Sequence, residues 1–433
     1  MRISLMVSIL KTYGLIYPET FYLKRMKHTV YLKLIIVFFS ACTSFSEKVG
    51  GDDTPNNSPN LPQNAIPVVY SYYIFIDGFA DNVPGSFILD TGTANLHFDS
   101  LFHRDNIFDY KNLNDVAVRG IGNTPVLSTR INDSVDFRIG GSRDFRTTNI
   151  WIHNLKQVGG DDIDGLVGTA YFKPGVLEIN YANEYILVYD SIDNVDVSAY
   201  NAINLERIQH FYCMEVTINV SDSICIKGAF ILDTGMPFST FTNKVATSMN
   251  LYDRIDRKVR YFTTQGGVGG ESSGYDFIID QLDISGYRLS DVNMSFSEDR
   301  YGTLADGQYL GIIGNNVLDR FDLLFDFNND ILYLKPNESF NQPYVFDRLG
   351  FSYVNRFKTM GGWIVTGITD NSRAEKEGLK VGDKIISVNG TPVESISLRE
   401  RMKLFNEITL AKFDVMSADR IKTIEFELIP LLD

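Results

Sequence analysis

The chain has 433 residues, too many for one ordinary hydrophobic core, so two or three domains are expected. A hydrophobic content of 44% with 22% charged residues excludes global disorder. The net charge of −14 excludes the basic surface that nucleic-acid binding requires and accords with a soluble acidic exterior.

The 23 Tyr and 30 Phe residues, with many glycine turns between them, favour a β-rich chain. In chain order, Met26-Lys27-His28 and Lys33 form a short basic region. The apolar run Leu34-Ile35-Ile36-Val37-Phe38-Phe39 follows, too short to span a bilayer but suited to the core of a signal peptide. It ends at Ser40-Ala41-Cys42, which resembles the processing site of bacterial lipoproteins, where the cysteine is lipidated. Residues 1–41 are therefore expected to be a signal peptide with translation starting at Met26. Residues 42–64 are expected to hold the lipidated Cys42 and a flexible linker rich in Gly, Asp and Pro. Such a protein sits in the bacterial cell envelope, lipid-anchored, facing the periplasm or in the outer membrane.

The next 270 or so residues contain a duplication. Gly85-Ser86-Phe87-Ile88-Leu89-Asp90-Thr91-Gly92 recurs as Gly228-Ala229-Phe230-Ile231-Leu232-Asp233-Thr234-Gly235. Gly165-Leu166-Val167-Gly168 recurs as Gly311-Ile312-Ile313-Gly314, and 177–184 parallels 323–330 with Asn/Asp-rich turns. Two copies of one module follow, at 65–198 and 199–338, each dense in short β-type runs such as 68–76, 87–89, 116–118 and 135–139.

Each copy offers a carboxylate, Asp90 or Asp233, between an apolar strand and a glycine turn. Two such loops face to face bring two carboxylates together. Like charges at that distance cannot both ionise, so the pair shares one proton, as acid–base hydrolysis needs.

This pattern resembles the aspartic peptidases of pepsin and retropepsin type, over residues 65–337. The resemblance implies a mainly β fold of two acid-protease-type β-barrel lobes around a central cleft, and an aspartic endopeptidase without metal or cofactor. It makes Asp90 and Asp233 the catalytic acids. Thr91 and Thr234 would bond across the lobe interface, and Gly92 and Gly235 would aim backbone N–H groups at the carboxylates. It places flap hairpins at Gly120-Ile121-Gly122 and Gly266-Gly267. Thr93 is expected to donate to Asp90; Met236, its counterpart, cannot donate to Asp233, so an asymmetric dyad working at milder pH is expected. The alternative is a non-catalytic peptide-binding lipoprotein.

Other chemistries lack residues. The five histidines show no metal spacing, and His97 reads as a surface or packing residue. Cys213 and Cys225 flank a turn near Ser221-Asp222-Ser223 that would set Cys225 beside Ile218, so no disulfide is favoured and two buried thiols are expected.

From 345 the texture changes. Residues 371–390 resemble the PDZ signature: a short helix at 373–377 stopping at Gly378, a strand at 384–388 and a turn at Asn389-Gly390. The resemblance covers 345–433. It implies that the loop Arg348-Leu349-Gly350-Phe351 holds a peptide C-terminus by its N–H groups, with a helix at 398–405 lining the groove. The expected partners are protein or peptide substrates, peptide C-termini at the PDZ groove and the membrane through the lipid.

Overall fold

The computed structural model describes residues 61–432 apart from 107, 141–144 and 419. The expected signal segment, Cys42 and most of the linker lie outside the described residues. The architecture is mainly β, with strands arranged in three sheets.

The first module builds a ten-stranded sheet. Its central strand, Val83–Leu89, pairs antiparallel with Tyr73–Ala80 and parallel with Gly165–Val167, so that Leu89 lies beside Val167. The second module repeats the plan: Ile224–Leu232 pairs antiparallel with Phe211–Ser221 and parallel with Gly311–Ile313, setting Leu232 beside Ile313. The two repeated sequence blocks are thus adjacent strands in both modules. Their core sides match as well. Phe87 is fully buried against Phe98, Phe102 and Phe137, and its counterpart Phe230 is fully buried against Phe241. Removing either ring would leave a cavity costing roughly 3–5 kcal/mol directly behind a dyad loop.

A six-stranded sheet joins the modules. At its centre Val176–Asn180 runs antiparallel to Phe321–Asp326, its own counterpart in the second copy. Equivalent strands pair with one another only if the modules are related by an approximate two-fold axis. That axis brings the two Asp-Thr-Gly loops together. One continuous apolar core runs through both modules.

Two local expectations change. The run 68–76 is two strands, Val69–Ser71 and Tyr73–Ala80, folded on each other at Tyr72, which takes φ +59. The turn at 221–223 carries a bulge between Asn219 and Ser221, which slips the register by one residue. Cys225 therefore stands opposite Asn219 rather than Ile218. Both thiols are free, but only Cys213 is buried and Cys225 is exposed, because alternation along the strand turns it to solvent.

The C-terminal domain has its own core around Trp363, Phe405 and Phe413. The strands Phe351–Asn355, Trp363–Thr369, Lys384–Val388, Leu410–Ser417 and Arg420–Glu427 form its sheet. Its longest helix, Leu398–Glu407, is started by a capping box of Ser397 and Glu400. The domain is joined to the second module by backbone pairing: Tyr261, Phe262 and Thr263 lie opposite Thr369, Ile368 and Gly367, so one sheet runs through both.

Candidate active site and peptide groove

The two Asp-Thr-Gly loops grip each other reciprocally. Thr91 N–H donates to Thr234 Oγ1 at 3.0 Å, and Thr234 N–H donates to Thr91 Oγ1 at 3.0 Å. Each hydroxyl then donates at 2.8 Å to the carbonyl of the opposite strand end, Thr91 to Leu232 and Thr234 to Leu89. Both threonines are buried, so every one of these bonds is shielded from water. The aspartate backbones are equally matched: Asp90 N–H donates to Val167 O and Asp233 N–H to Ile313 O.

The glycines are required by close approach. A Cβ on Gly92 would sit 2.4 Å from Asp233 Oδ2, and one on Gly235 would sit 2.5 Å from Asp90 Cγ. Each glycine N–H donates at 2.8 Å to the aspartate of its own loop. The two carboxyl groups are within hydrogen-bonding reach of each other. Burial raises the pKa of both. The charge of Asp90 raises Asp233 further, whereas hydrogen bonds from Asp233, Gly92 and Thr93 offset part of the rise at Asp90. Two carboxyl groups so close favour sharing one proton between two oxygens over both being ionised.

Thr93 corrects an expectation. Its hydroxyl lies 2.9 Å from His97 Nε2, and its backbone N–H donates to the Asp90 backbone carbonyl at 3.4 Å. His97 is no isolated surface or packing residue: its Nδ1 is 3.0 Å from His153 Nε2, and His153 Nδ1 meets the Ser128 hydroxyl. Parallel pairing of Leu96–Asp99 with Ile150–His153 brings these rings together. Nothing in the local sequence joins residues 93, 97, 128 and 153. Asn315 was also missed: fully buried, it donates to both Thr234 O and Tyr72 O at 2.8 Å and so ties the second loop to the first module.

Gly120, Ile121 and Gly122 lie in the tip of the hairpin formed by Leu113–Val118 and Val126–Ile131. Gly266 and Gly267 end the strand Lys258–Gly267, which turns through Val268-Gly269 into Gly270–Ile284. The two tips are bonded to one another: Gly269 N–H donates to Ile121 O at 2.7 Å and Thr124 N–H to Gly269 O at 3.0 Å. Each tip packs on the opposite module, Ile121 on the buried cluster that includes Ile231 and Ile312, and Val268 on the one that includes Phe75 and Ile88. Both tips therefore contribute apolar side chains to the module opposite. Among the described residues no group of three or more His, Cys, Asp or Glu is arranged to hold a metal ion.

In the C-terminal domain the loop 348–351 leads into the strand Phe351–Asn355, and Tyr353 packs edge-on against Phe405 of the helix Leu398–Glu407. This strand and helix, which the PDZ resemblance makes the walls of a peptide groove, face one another. Residues 346–410 match the family model of the PDZ domain. The match supports a peptide-binding or scaffold role for this part of the chain. No curated protein matches the chain.

The PDZ groove is engaged by the chain itself. Leu349 N–H donates to Asp347 Oδ1 at 2.9 Å and Gly350 N–H to Asp347 Oδ2 at 3.3 Å. The amides expected to hold a peptide carboxylate therefore hold the carboxylate of Asp347. Phe351 is buried in the PDZ core and pairs with Ile368. At the other end of the groove Asp162 bridges its two walls, accepting from Asn355 Nδ2 at 3.2 Å and pairing with Arg401 at 2.7 Å. Asp161 accepts from Thr359 N–H at 3.0 Å and pairs with Arg356 at 3.3 Å. Both aspartates belong to the first module.

Proposed function

We propose that the chain is an aspartic-type endopeptidase that cleaves peptide bonds with a water held between Asp90 and Asp233. The observation that carries this reading is the reciprocal pair of loops, which keeps the buried Asp233 and the half-buried Asp90 within hydrogen-bonding reach of each other, both with raised pKa values. In the proposed reaction the pair starts with one proton. The ionised carboxylate takes a proton from the water as its oxygen attacks the carbonyl carbon. The carboxylic acid gives its proton to the carbonyl oxygen. The diol intermediate then collapses: a proton passes to the amide nitrogen, the C–N bond breaks, and the pair regains its single proton.

Substrate enters once the two flap tips part. The PDZ domain either recruits protein substrates or gates their entry. The gating reading is favoured by its pairing with the strand Lys258–Gly267, which ends in one of those tips. We further propose that the protein is tethered in the bacterial envelope through a lipid on Cys42.

The test is cleavage of a mixed peptide library by the full chain from acid to neutral pH, with Asp90→Asn and Asp233→Asn in parallel. Cuts made by the parent and lost in both variants support the reading. A folded parent that binds peptides but cuts none at any pH, including after Asp162→Ala loosens the PDZ contact, points to a peptide-binding lipoprotein.

A further inference from the structure

The two acids that fasten the first module to the PDZ domain have the form of a resident ligand. Every hydrogen bond and ion pair of the Asp161 and Asp162 carboxylates among the described residues goes to the PDZ domain. Asp161 accepts from the Thr359 N–H at 3.0 Å and from its hydroxyl at 2.9 Å and pairs with Arg356; its side chain is only 1% exposed. Asp162 accepts from Asn355 Nδ2 at 3.2 Å and from Arg401 Nη2 at 2.7 Å. Asn355 ends the strand wall of the groove, and Arg401 stands on the helix wall. The residue before the two acids is pressed onto that strand. A Cβ on Gly160 would fall 2.5 Å from the Asn355 carbonyl oxygen, and its φ of +75 also suits glycine. Backbone laid against the strand, with side chains reaching both walls, is how a peptide occupies such a groove.

The opposite end is unsuited to a free C-terminus, because the amides of Leu349 and Gly350 already hold the Asp347 carboxylate. The acid end has unused capacity. Arg401 meets Asp162 through Nη2 only, and its Nε is buried without a partner among the described residues. A carboxylate free of the first module can take both nitrogens of that guanidinium at once. The sequence adds an independent observation. Val158-Gly159-Gly160-Asp161-Asp162 recurs letter for letter as Val49-Gly50-Gly51-Asp52-Asp53. The copy at 49–53 lies outside the described residues and outside the two duplicated modules, so the module duplication does not account for it.

We propose that the PDZ groove reads an internal acidic segment of another protein chain, of the form Val-Gly-Gly-Asp-Asp, in place of a peptide C-terminus. Residues 158–162 are the built-in stand-in for that segment. An incoming segment takes over Asn355, Arg356, Thr359 and Arg401 and parts the PDZ domain from the first module. This deepens the recruiting role given to the PDZ domain, and it stands whether or not the dyad cuts peptides.

The test is made on the full chain carrying Asp90→Asn, so that cleavage plays no part in the result. The probe is a dye-labelled peptide of residues 47–54, capped at both ends, read by fluorescence anisotropy. Changing both native acid pairs (Asp52→Ala, Asp53→Ala, Asp161→Ala and Asp162→Ala) should tighten probe binding at least about tenfold, because the stand-in no longer competes. Adding Arg401→Ala, or replacing the two probe aspartates by asparagine, should each weaken it at least about tenfold. With both native acid pairs intact, millimolar unlabelled probe should speed hydrogen exchange at 156–162 by a few fold, and the asparagine probe should not. Equal binding of the two probes, tighter binding of an apolar peptide with a free C-terminus, or unchanged exchange at 156–162 under millimolar probe overturns the proposal.

Discussion

The two copies of the module share a backbone and differ in what surrounds each carboxyl group. The grip of Thr91 on Thr234 is returned at the same distances, and each glycine closes on the opposite aspartate. One position beyond, the symmetry ends. Thr93 joins a chain of two histidines and a serine, whereas Met236 packs on the apolar cluster that includes Ile231 and Ile312. Duplication thus preserves what both halves need in order to meet. Divergence acts on the side chains that set each carboxyl group's electrostatics.

The largest effect expected from probing this comparison is on cleavage. Asp90→Asn and Asp233→Asn should each reduce kcat/KM by at least about 10³-fold, equally, because a shared proton needs both groups. A residual activity in one variant only would show that the copies do not act as one unit.

Next comes the grip. Thr91→Val and Thr234→Val each orphan a buried N–H and a buried carbonyl on the opposite loop. Each should cost about 2–4 kcal/mol in denaturant unfolding, with nearly equal values. Unequal losses would mean that Asn315, which braces only the second loop, carries part of the load.

A smaller effect of opposite sign is expected from pH. Folding raises both carboxyl pKa values, so it favours the protonated forms. The corresponding stability is complete below the unfolded value and is lost as pH rises through the folded values. Asp90→Asn removes that loss and should raise Tm by about 2–5 °C at neutral pH, with no gain at pH 3. A thermal-shift series across pH checks this.

The smallest effect concerns how each module holds the PDZ domain. The first uses ion pairs, Asp161 to Arg356 and Asp162 to Arg401; the second uses backbone pairing, with one more exposed ion pair, Arg260 to Asp370, beside it. Raising salt to about 1 M should therefore speed hydrogen exchange around 156–162 by a few fold and change 258–267 less, because backbone hydrogen bonds and not the exposed Arg260–Asp370 pair hold that strand. No change at 156–162 would argue that the ion pairs are too buried for screening to matter.

Much of this site was legible in the chain. The repeated octapeptide and the paired glycine segments located both dyad loops, because a strand feeding a tight turn is local chemistry that survives duplication nearly letter for letter. The PDZ turn and helix signals were legible for the same reason: Gly378 takes φ +78 and Asn389 φ +50, conformations these residues tolerate.

What the sequence could not reveal depends on which residues distant strands bring together. His97 meets His153 only because two strands far apart in the chain run in parallel register. The one-residue bulge that turns Cys225 outward is invisible before the hairpin closes. Asp161 and Asp162 gain partners only where the first module meets the PDZ domain and Arg356 and Arg401 face them. Local propensity and repetition determined the elements and the two acids. Tertiary packing decided the partners, because hydrogen bonds and ion pairs depend on distances in space that sequence separation does not encode.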